Sequence, residues 1–344
     1  MLEACASPIA RRALVGLLVA VCLFGTAGVT NCPRPYGLKP TPAVGPFLDG
    51  VFPTSTPQGN LSLGVELAFP NLLEIPGTAL VIVTNPADDR LYLASRDGQI
   101  VSFENELGVS QSAPFMDLRD RTAVVQDGGF LGMVFHPEFG QVGSPYELTF
   151  YAYYATFCPT TAAGDGINFA ACDPGLVSTW LRLSRFEAFW DPVDGVYKGD
   201  PASESPMLSI RLYGDSHRGG GMVIDDDHNL FLTIGDQYRF VTPQDIAGQL
   251  EGKILRLALD VVETGGGAWT CPAGSHLPIR DYREVTGNLD EMSGRLYCIP
   301  DDTPFLDPFG GIFEEPYSIG HRNPHRLTMD RVTGRLWTGE VGEA

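Results

Sequence analysis

Two short runs of this sequence gather proton-transferring and charge-stabilising side chains between glycines. SHRGGG (216–221) sets His217 ahead of three glycines, and GHRNP (320–324) sets Arg322 and Asn323 between a glycine and a proline. A neutral imidazole takes a proton near pH 7. A guanidinium stabilises negative charge that develops on a reacting oxygen, and a carboxylate such as Asp236 in IGDQ (234–237) can hold an imidazole in one orientation. The chemistry on offer is proton abstraction beside an anion-stabilising group. Each residue also has a plain structural role open to it: a turn histidine, a strand-to-turn aspartate, an ion-paired loop arginine. The acidic triplet Asp225, Asp226 and Asp227 lacks the spacing of an EF-hand loop and reads as the cap of a hairpin turn.

The elements that must carry these residues are strands. Forty glycines and 27 prolines among 344 residues argue against long helices and for short strands joined by turns. One local pattern recurs, an Asp-, Asn- or Gly-rich turn followed by a strand with a Leu–aromatic pair: Leu91-Tyr92 in 87–103, Leu230-Phe231 in 225–237 and Leu336-Trp337 in 331–342. Further strands are predicted in 146–155, 178–186 and 252–260, where β-forming residues alternate or run apolar. Hairpins that keep returning over so long a stretch point to the blades of a β-propeller rather than to a β-sandwich.

Charge and cysteine usage narrow the setting. A net charge of −19 is the wrong sign for phosphate backbones, so nucleic acid is not expected as a partner. Arg11 and Arg12 precede the uncharged run 13–29, as in a secretory signal, which assigns residues 1–31 to a signal peptide. A single membrane anchor is the alternative, for which the run is slightly short. Lipid attachment at Cys32 is disfavoured by Asn31. The protein is thus expected to be secreted or periplasmic, with no stable membrane span after signal cleavage. Residues 32–64 read as a linker or N-terminal strap and 65–344 as the propeller. In an oxidising compartment Cys158 with Cys172, and Cys271 with Cys298, could each staple a long loop, and none of them has zinc or haem spacing.

Three runs, 126–140, 216–237 and 314–344, with GKILRLALD (252–260) and GRLYCIPDDTPF (294–305) between them, resemble in order the glucose/sorbosone dehydrogenase family, the soluble quinoprotein sugar dehydrogenases. The resemblance covers roughly 65–344. It implies a six-bladed propeller that binds pyrroloquinoline quinone with calcium and oxidises the anomeric hydroxyl of a sugar to a lactone, passing electrons to a cytochrome or other acceptor. Carried over position by position, His217 is the catalytic base and Asp236 the carboxylate that orients it. Arg322 and Asn323 contact the quinone, and Asp127 lies near it. Gly342 and Glu343 stand where the family ligates calcium through backbone carbonyls.

Departures from the family pattern are local. QDGGFLG replaces the commoner form around Asp127, and His325 stands where many relatives have Gln. GEVGE (339–343) lacks the usual proline and resembles the branch that includes the hedgehog-interacting protein. That branch implies an alternative function, a non-catalytic propeller binding protein or glycan. A calcium-dependent lactonase-type hydrolase is a second alternative, without a clear set of converging carboxylates. The last repeat ends at Ala344 just after a strand, so the ring is expected to be truncated before its final blades, and with them the basic residues that pair with the quinone carboxylates.

Overall fold

Turns rich in Asp, Asn and Gly cut the chain into strands that pair with their sequence neighbours. The structure, a computed structural model, describes residues 64–72, 76–157, 179–212, 216–265, 268–280, 282 and 297–342. Strands β1 (Ala79–Thr84), β2 (Arg90–Ser95), β3 (Gln99–Glu104) and β4 (Ala113–Asp117) form the first four-stranded antiparallel sheet, in that order. Strands β5 (Phe130–Phe135), β6 (Thr149–Phe157), β7 (Thr179–Asp191) and β8 (Val196–Arg211) form the second. The third holds β9 (Met222–Ile224), β10 (Asn229–Ile234), β11 (Lys253–Ala258) and β16 (Pro316–Ile319). Between β11 and β16 the chain makes two small two-stranded sheets, β12 (Val262–Gly265) with β13 (Ala268–Thr270) and β14 (Ser275–His276) with β15 (Ile299–Pro300). A hairpin of β17 (Pro324–Asp330) and β18 (Arg335–Glu340) follows.

The sheets stand face to face with their first strands side by side, β1 against β5, β5 against β9 and β9 against β17. This is a β-propeller, as the repeats predict; the described residues hold three four-stranded blades and the first hairpin of a fourth. The recurring Leu–aromatic pairs mark the second strand of the first, third and fourth units, β2, β10 and β18. The strands predicted in 146–155, 178–186 and 252–260 are β6, β7 and β11.

Blade packing follows from the two-residue period of a strand. In β6, Phe150, Ala152 and Tyr154 face the first blade and join Tyr92, Phe115 and Phe135 in one core. The alternate residues Tyr151, Tyr153 and Ala155 face the third blade and join Leu230, Leu232, Leu255 and Leu257 in the other. A strand buried on both faces loses its polar alternation, which is why 150–155 reads as an unbroken run of aromatic residues and alanine. Edge-on ring pairs, Tyr92 with Phe135 at 4.8 Å and Phe115 with Phe150 at 5.2 Å, fill the first interface. The buried carboxylate of Glu204 on β8 accepts from Tyr154 and Ser184 and pairs with Arg121 at 2.7 Å, tying the loop after β4 to the second blade.

The acidic triplet caps the β9–β10 turn as expected: Asp225 Oδ1 accepts from the Asp227 and Asn229 N–H groups at 3.1 and 2.7 Å. Cys271 and Cys298 form a disulfide with Cα atoms 5.9 Å apart, closing the inserted segment. Cys158 and Cys172, the signal and Cys32 lie outside the described residues. Among the described residues no helix is long and apolar enough to cross a membrane.

The disulfide closes a loop with a sequence separation of 27 residues, and loop-closure entropy for that length is worth roughly 3.5 kcal/mol. The double substitution Cys271→Ser with Cys298→Ser is expected to lower unfolding free energy by about that amount in a denaturant titration.

Candidate functional site

In an antiparallel blade, the starts of first strands and the ends of second strands lie on the same rim. Asp127 precedes β5, His217 precedes β9, Asp236 follows β10, and Arg322 and Asn323 precede β17. Topology alone therefore brings five sequence-predicted residues, up to 196 positions apart in the chain, to one end of the ring.

The loops pack closely enough to dictate their glycines. A side-chain carbon at Gly235 would lie 2.2 Å from the His217 carbonyl oxygen, and one at Gly221 would lie 2.5 Å from the Leu327 nitrogen of β17. Contacts that short do not occur, so the loops carrying His217, Asp236 and β17 meet only if both positions stay bare. Backbone strain collects here too. Among the described residues five non-glycine residues have positive φ, and four of them, Gln126, His217, Gln237 and Tyr238, stand beside this rim. Such conformations persist where surrounding contacts hold them, and they concentrate at functional sites.

At the centre, His217 Nδ1 lies 2.6 Å from Asp236 Oδ1, and both side chains are buried, 6 % and 4 % exposed. The ionised carboxylate only accepts, so Nδ1 carries the proton and Nε2 the lone pair. Asp236 is itself fixed: its Oδ1 accepts from the Tyr238 N–H at 2.9 Å, and its own N–H donates to the Arg322 carbonyl at 2.8 Å. Asp127 is exposed at the edge and its Oδ2 accepts from the His217 N–H at 3.2 Å. The Tyr238 ring stacks on the imidazole with centroids 4.1 Å apart, and the Arg322 guanidinium lies 5.7 Å from that same ring.

The loop after Asp236 rests on a fully buried lysine. Lys253 Nζ donates to the carbonyls of Thr242 and Glu251 at 2.7 and 2.8 Å, and Thr242 Oγ1 donates to the Asp236 carbonyl at 3.1 Å. Burial pushes this amine down to about 8.

The fourth-blade hairpin supplies the other half of the site. Glu340 pairs in register with Pro324, so its carboxylate reaches the 321–323 loop. It accepts from the Arg322 N–H and, at 3.1 Å, from His321 Nδ1. Burial raises the Glu340 carboxyl, but these hydrogen bonds outweigh it and hold the group below the ordinary glutamate value. Asn323, buried, accepts from the Gly219 N–H at 3.1 Å and so joins its loop to the His217 loop. Arg322 Nη1 donates to the Val341 and Gly342 carbonyls at 3.0 and 3.3 Å. Gly342 is thus at the site through its carbonyl, while Glu343 lies outside the described residues. His325 is half-buried, and burial with the neighbouring Arg326 lowers its pKa.

Sequence reasoning missed Tyr238, Lys253 and Glu340. Glu340 was within reach only through the β17–β18 register, and Tyr238 only through the tight turn after Asp236. Lys253 sits inside a strand-like run that gives no sign of its buried amine.

Fold and rim together define a β-propeller with a histidine–carboxylate dyad and a guanidinium on one face. The chain belongs to the glucose/sorbosone dehydrogenase family, whose model matches residues 79–264 and 281–344. It is 24 % identical over 285 residues to the HIPL2 protein of Arabidopsis thaliana, covering 74 % of this chain and 36 % of that one. It is 26 % identical over 266 residues to quinoprotein glucose dehydrogenase B of Acinetobacter calcoaceticus, covering 74 % and 44 %. The crystal structure of the soluble aldose sugar dehydrogenase from Escherichia coli in its apo-form matches with a TM-score of 0.51 and 20 % identity, over 80 % of this chain and 60 % of that one. The chain spans less than half the length of these two curated relatives.

Because the folded Glu340 carboxyl titrates below its unfolded value, its stabilisation is fully present above the ordinary glutamate pKa and is lost as pH falls through the folded value. Glu340→Gln is expected to lower stability by about 1–2 kcal/mol at pH 7, and thermal melts of the two proteins should converge as pH drops below about 4.

Proposed function

We propose that the protein is a quinone-dependent sugar dehydrogenase, with His217 as base and Asp236 as the carboxylate that orients it. The observation that carries this reading is the buried 2.6 Å contact between them, which leaves the Nε2 lone pair as the proton acceptor at the rim. The substrate class is a sugar or similar polyol, the acceptor of the electrons a cytochrome or other carrier, and the compartment secreted or periplasmic.

The residues present would supply part of the site for each of the two groups that the family implies, the basic partners of the quinone carboxylates being expected in later blades. The Val341 and Gly342 carbonyls are oxygen donors of the kind that calcium takes, and the ion would have to displace the Arg322 guanidinium that donates to both. Gly342 and Glu343 would hold the ion. Arg322 and Asn323, with Asp127 close by, would hold pyrroloquinoline quinone, which when bound supplies the two-electron acceptor for the carbinol hydrogen.

Each of the chain's own groups then has one task. His217 Nε2 accepts the hydroxyl proton of the sugar, since a carbinol gives up hydride readily only as its hydroxyl deprotonates. Asp236 holds the ring in the tautomer that leaves Nε2 open and stabilises the imidazolium that results. Tyr238, stacked on the imidazole, restrains the ring plane. Arg322 sets positive charge where negative charge builds. Glu340 and Asn323 are positioning residues, fixing the loop that presents Arg322.

A second reading has its own support. HIPL2 is among the relatives, and Arg322 already spans the carbonyls that calcium would take. In that reading the rim is a binding surface for protein or glycan.

A dye-linked sugar oxidation assay of the full-length protein, with added quinone and calcium, separates the two. His217→Ala is expected to cut turnover by roughly a hundred- to ten-thousand-fold while leaving the quinone titration curve in place. Arg322→Ala should shift that curve to higher quinone concentration. Turnover unchanged in His217→Ala removes the proposed base, and a parent protein that reduces no dye with any sugar favours the binding reading.

A further inference from the structure

We infer that His136, Glu138 and His228 form a zinc-type metal site between the second and third blades, on the face of the ring opposite the candidate active site. His136 directly follows β5, whereas Asp127 precedes it; His228 sits in the β9–β10 turn, whereas His217 and Asp236 sit at the far ends of those strands. Six strand residues at about 3.3 Å each separate the two rims by about 20 Å.

One ligand atom from each of the three side chains lies within 4.8 Å of the other two. Glu138 Oε1 and His228 Nε2 are 3.7 Å apart, close to the edge of a tetrahedron with metal–ligand bonds of about 2.1 Å. Both groups are held by partners outside the cluster. His228 Nδ1 lies 3.0 Å from Asp260 Oδ1, which accepts its proton and leaves the lone pair on Nε2, the arrangement that orients histidine ligands. Tyr146 donates to the same Asp260 oxygen at 3.0 Å, and Ser144 donates to the second oxygen of Glu138.

His136 provides the independent sign. It is completely buried, stacked on Tyr146 at 3.9 Å, and its Nε2 has no hydrogen-bond partner. A buried polar nitrogen left unpaired calls for an explanation, and an ion is one of the few available. His228 adds backbone strain, with φ at +57°.

One hydrogen bond opposes ligation. His136 Nδ1 accepts from the Glu138 N–H at 3.1 Å, which puts the ring proton on Nε2. Uptake of metal at Nε2 moves that proton to Nδ1 and gives up this bond. A metal–imidazole bond is worth several times a single backbone hydrogen bond, so the exchange favours the ion. Two imidazoles with one carboxylate suit zinc, and nitrogen ligands count against calcium and magnesium. His228 and Glu138 are 19 % and 29 % exposed, enough for water to complete the shell.

The test is a calorimetric titration of metal-stripped, untagged protein with zinc chloride, run beside His228→Asn, Glu138→Gln and Asp260→Asn. Asparagine tolerates the left-handed backbone at position 228, so His228→Asn keeps the turn. One equivalent is expected to bind with a rise in thermal midpoint, and His228→Asn and Glu138→Gln should each weaken binding at least tenfold. Asp260→Asn, which touches no metal, should weaken it roughly ten- to a hundredfold. Circular dichroism checks each fold, and should Glu138→Gln misfold, the other two variants decide. Equal affinity in parent and His228→Asn, or no zinc uptake by the parent, overturns the assignment.

Discussion

Everything in this molecule depends on one constraint: a blade in the middle of a ring must bury both of its faces at once. β6 meets it with one strand, sending Phe150, Ala152 and Tyr154 into one interface and Tyr151, Tyr153 and Ala155 into the next. Apolar burial is worth about 25 cal/mol for each Å² removed from water, so a pair of aromatic-lined interfaces sets the angle between successive blades. That angle in turn decides where the loops at the rim converge.

Convergence at the rim is achieved by removing side chains and tolerating strain. Bare positions at Gly235 and Gly221 let the His217 loop touch both the Asp236 loop and β17. Left-handed backbone at His217, Gln237 and Tyr238 then turns the imidazole, its carboxylate and the stacking ring toward one another. Hydrogen bonds between loops, Asp236 to the Arg322 carbonyl and Gly219 to Asn323, hold what the strain would otherwise release.

Much of this is legible in the amino-acid sequence alone. Leu91-Tyr92, Leu230-Phe231 and Leu336-Trp337 each mark the second strand of a unit, because a strand that follows a tight polar turn and packs on a neighbouring blade needs that pair in a fixed place. His217 with Asp236 was legible from the residue types and the family pattern. Glu340, Lys253 and Tyr238 were not, for three different reasons. Glu340 acts through a strand register, Lys253 through a buried amine that its apolar neighbours hide, and Tyr238 through a backbone conformation that its residue type disfavours. The cluster of His136, Glu138 and His228 was also hidden, since two of its members come from different blades and meet only after those blades pack.

The rim residues come from loops that begin at Asp127 and end at Gly342, and the His217–Asp236 dyad and Arg322 belong to different sheets. Alignment of Asp236 with Arg322 rests on a contact between the third blade and the β17–β18 hairpin, where Leu327, Met329 and Leu336 pack on Val223, Phe231 and Ile254. A chain that loosened only this docking would keep nearly all of its strands while the His217–Asp236 pair and Arg322 drifted apart. Local opening of that kind precedes global unfolding wherever few apolar contacts cross a boundary. The geometry of the rim is therefore a report on how the third blade and the β17–β18 hairpin hold together.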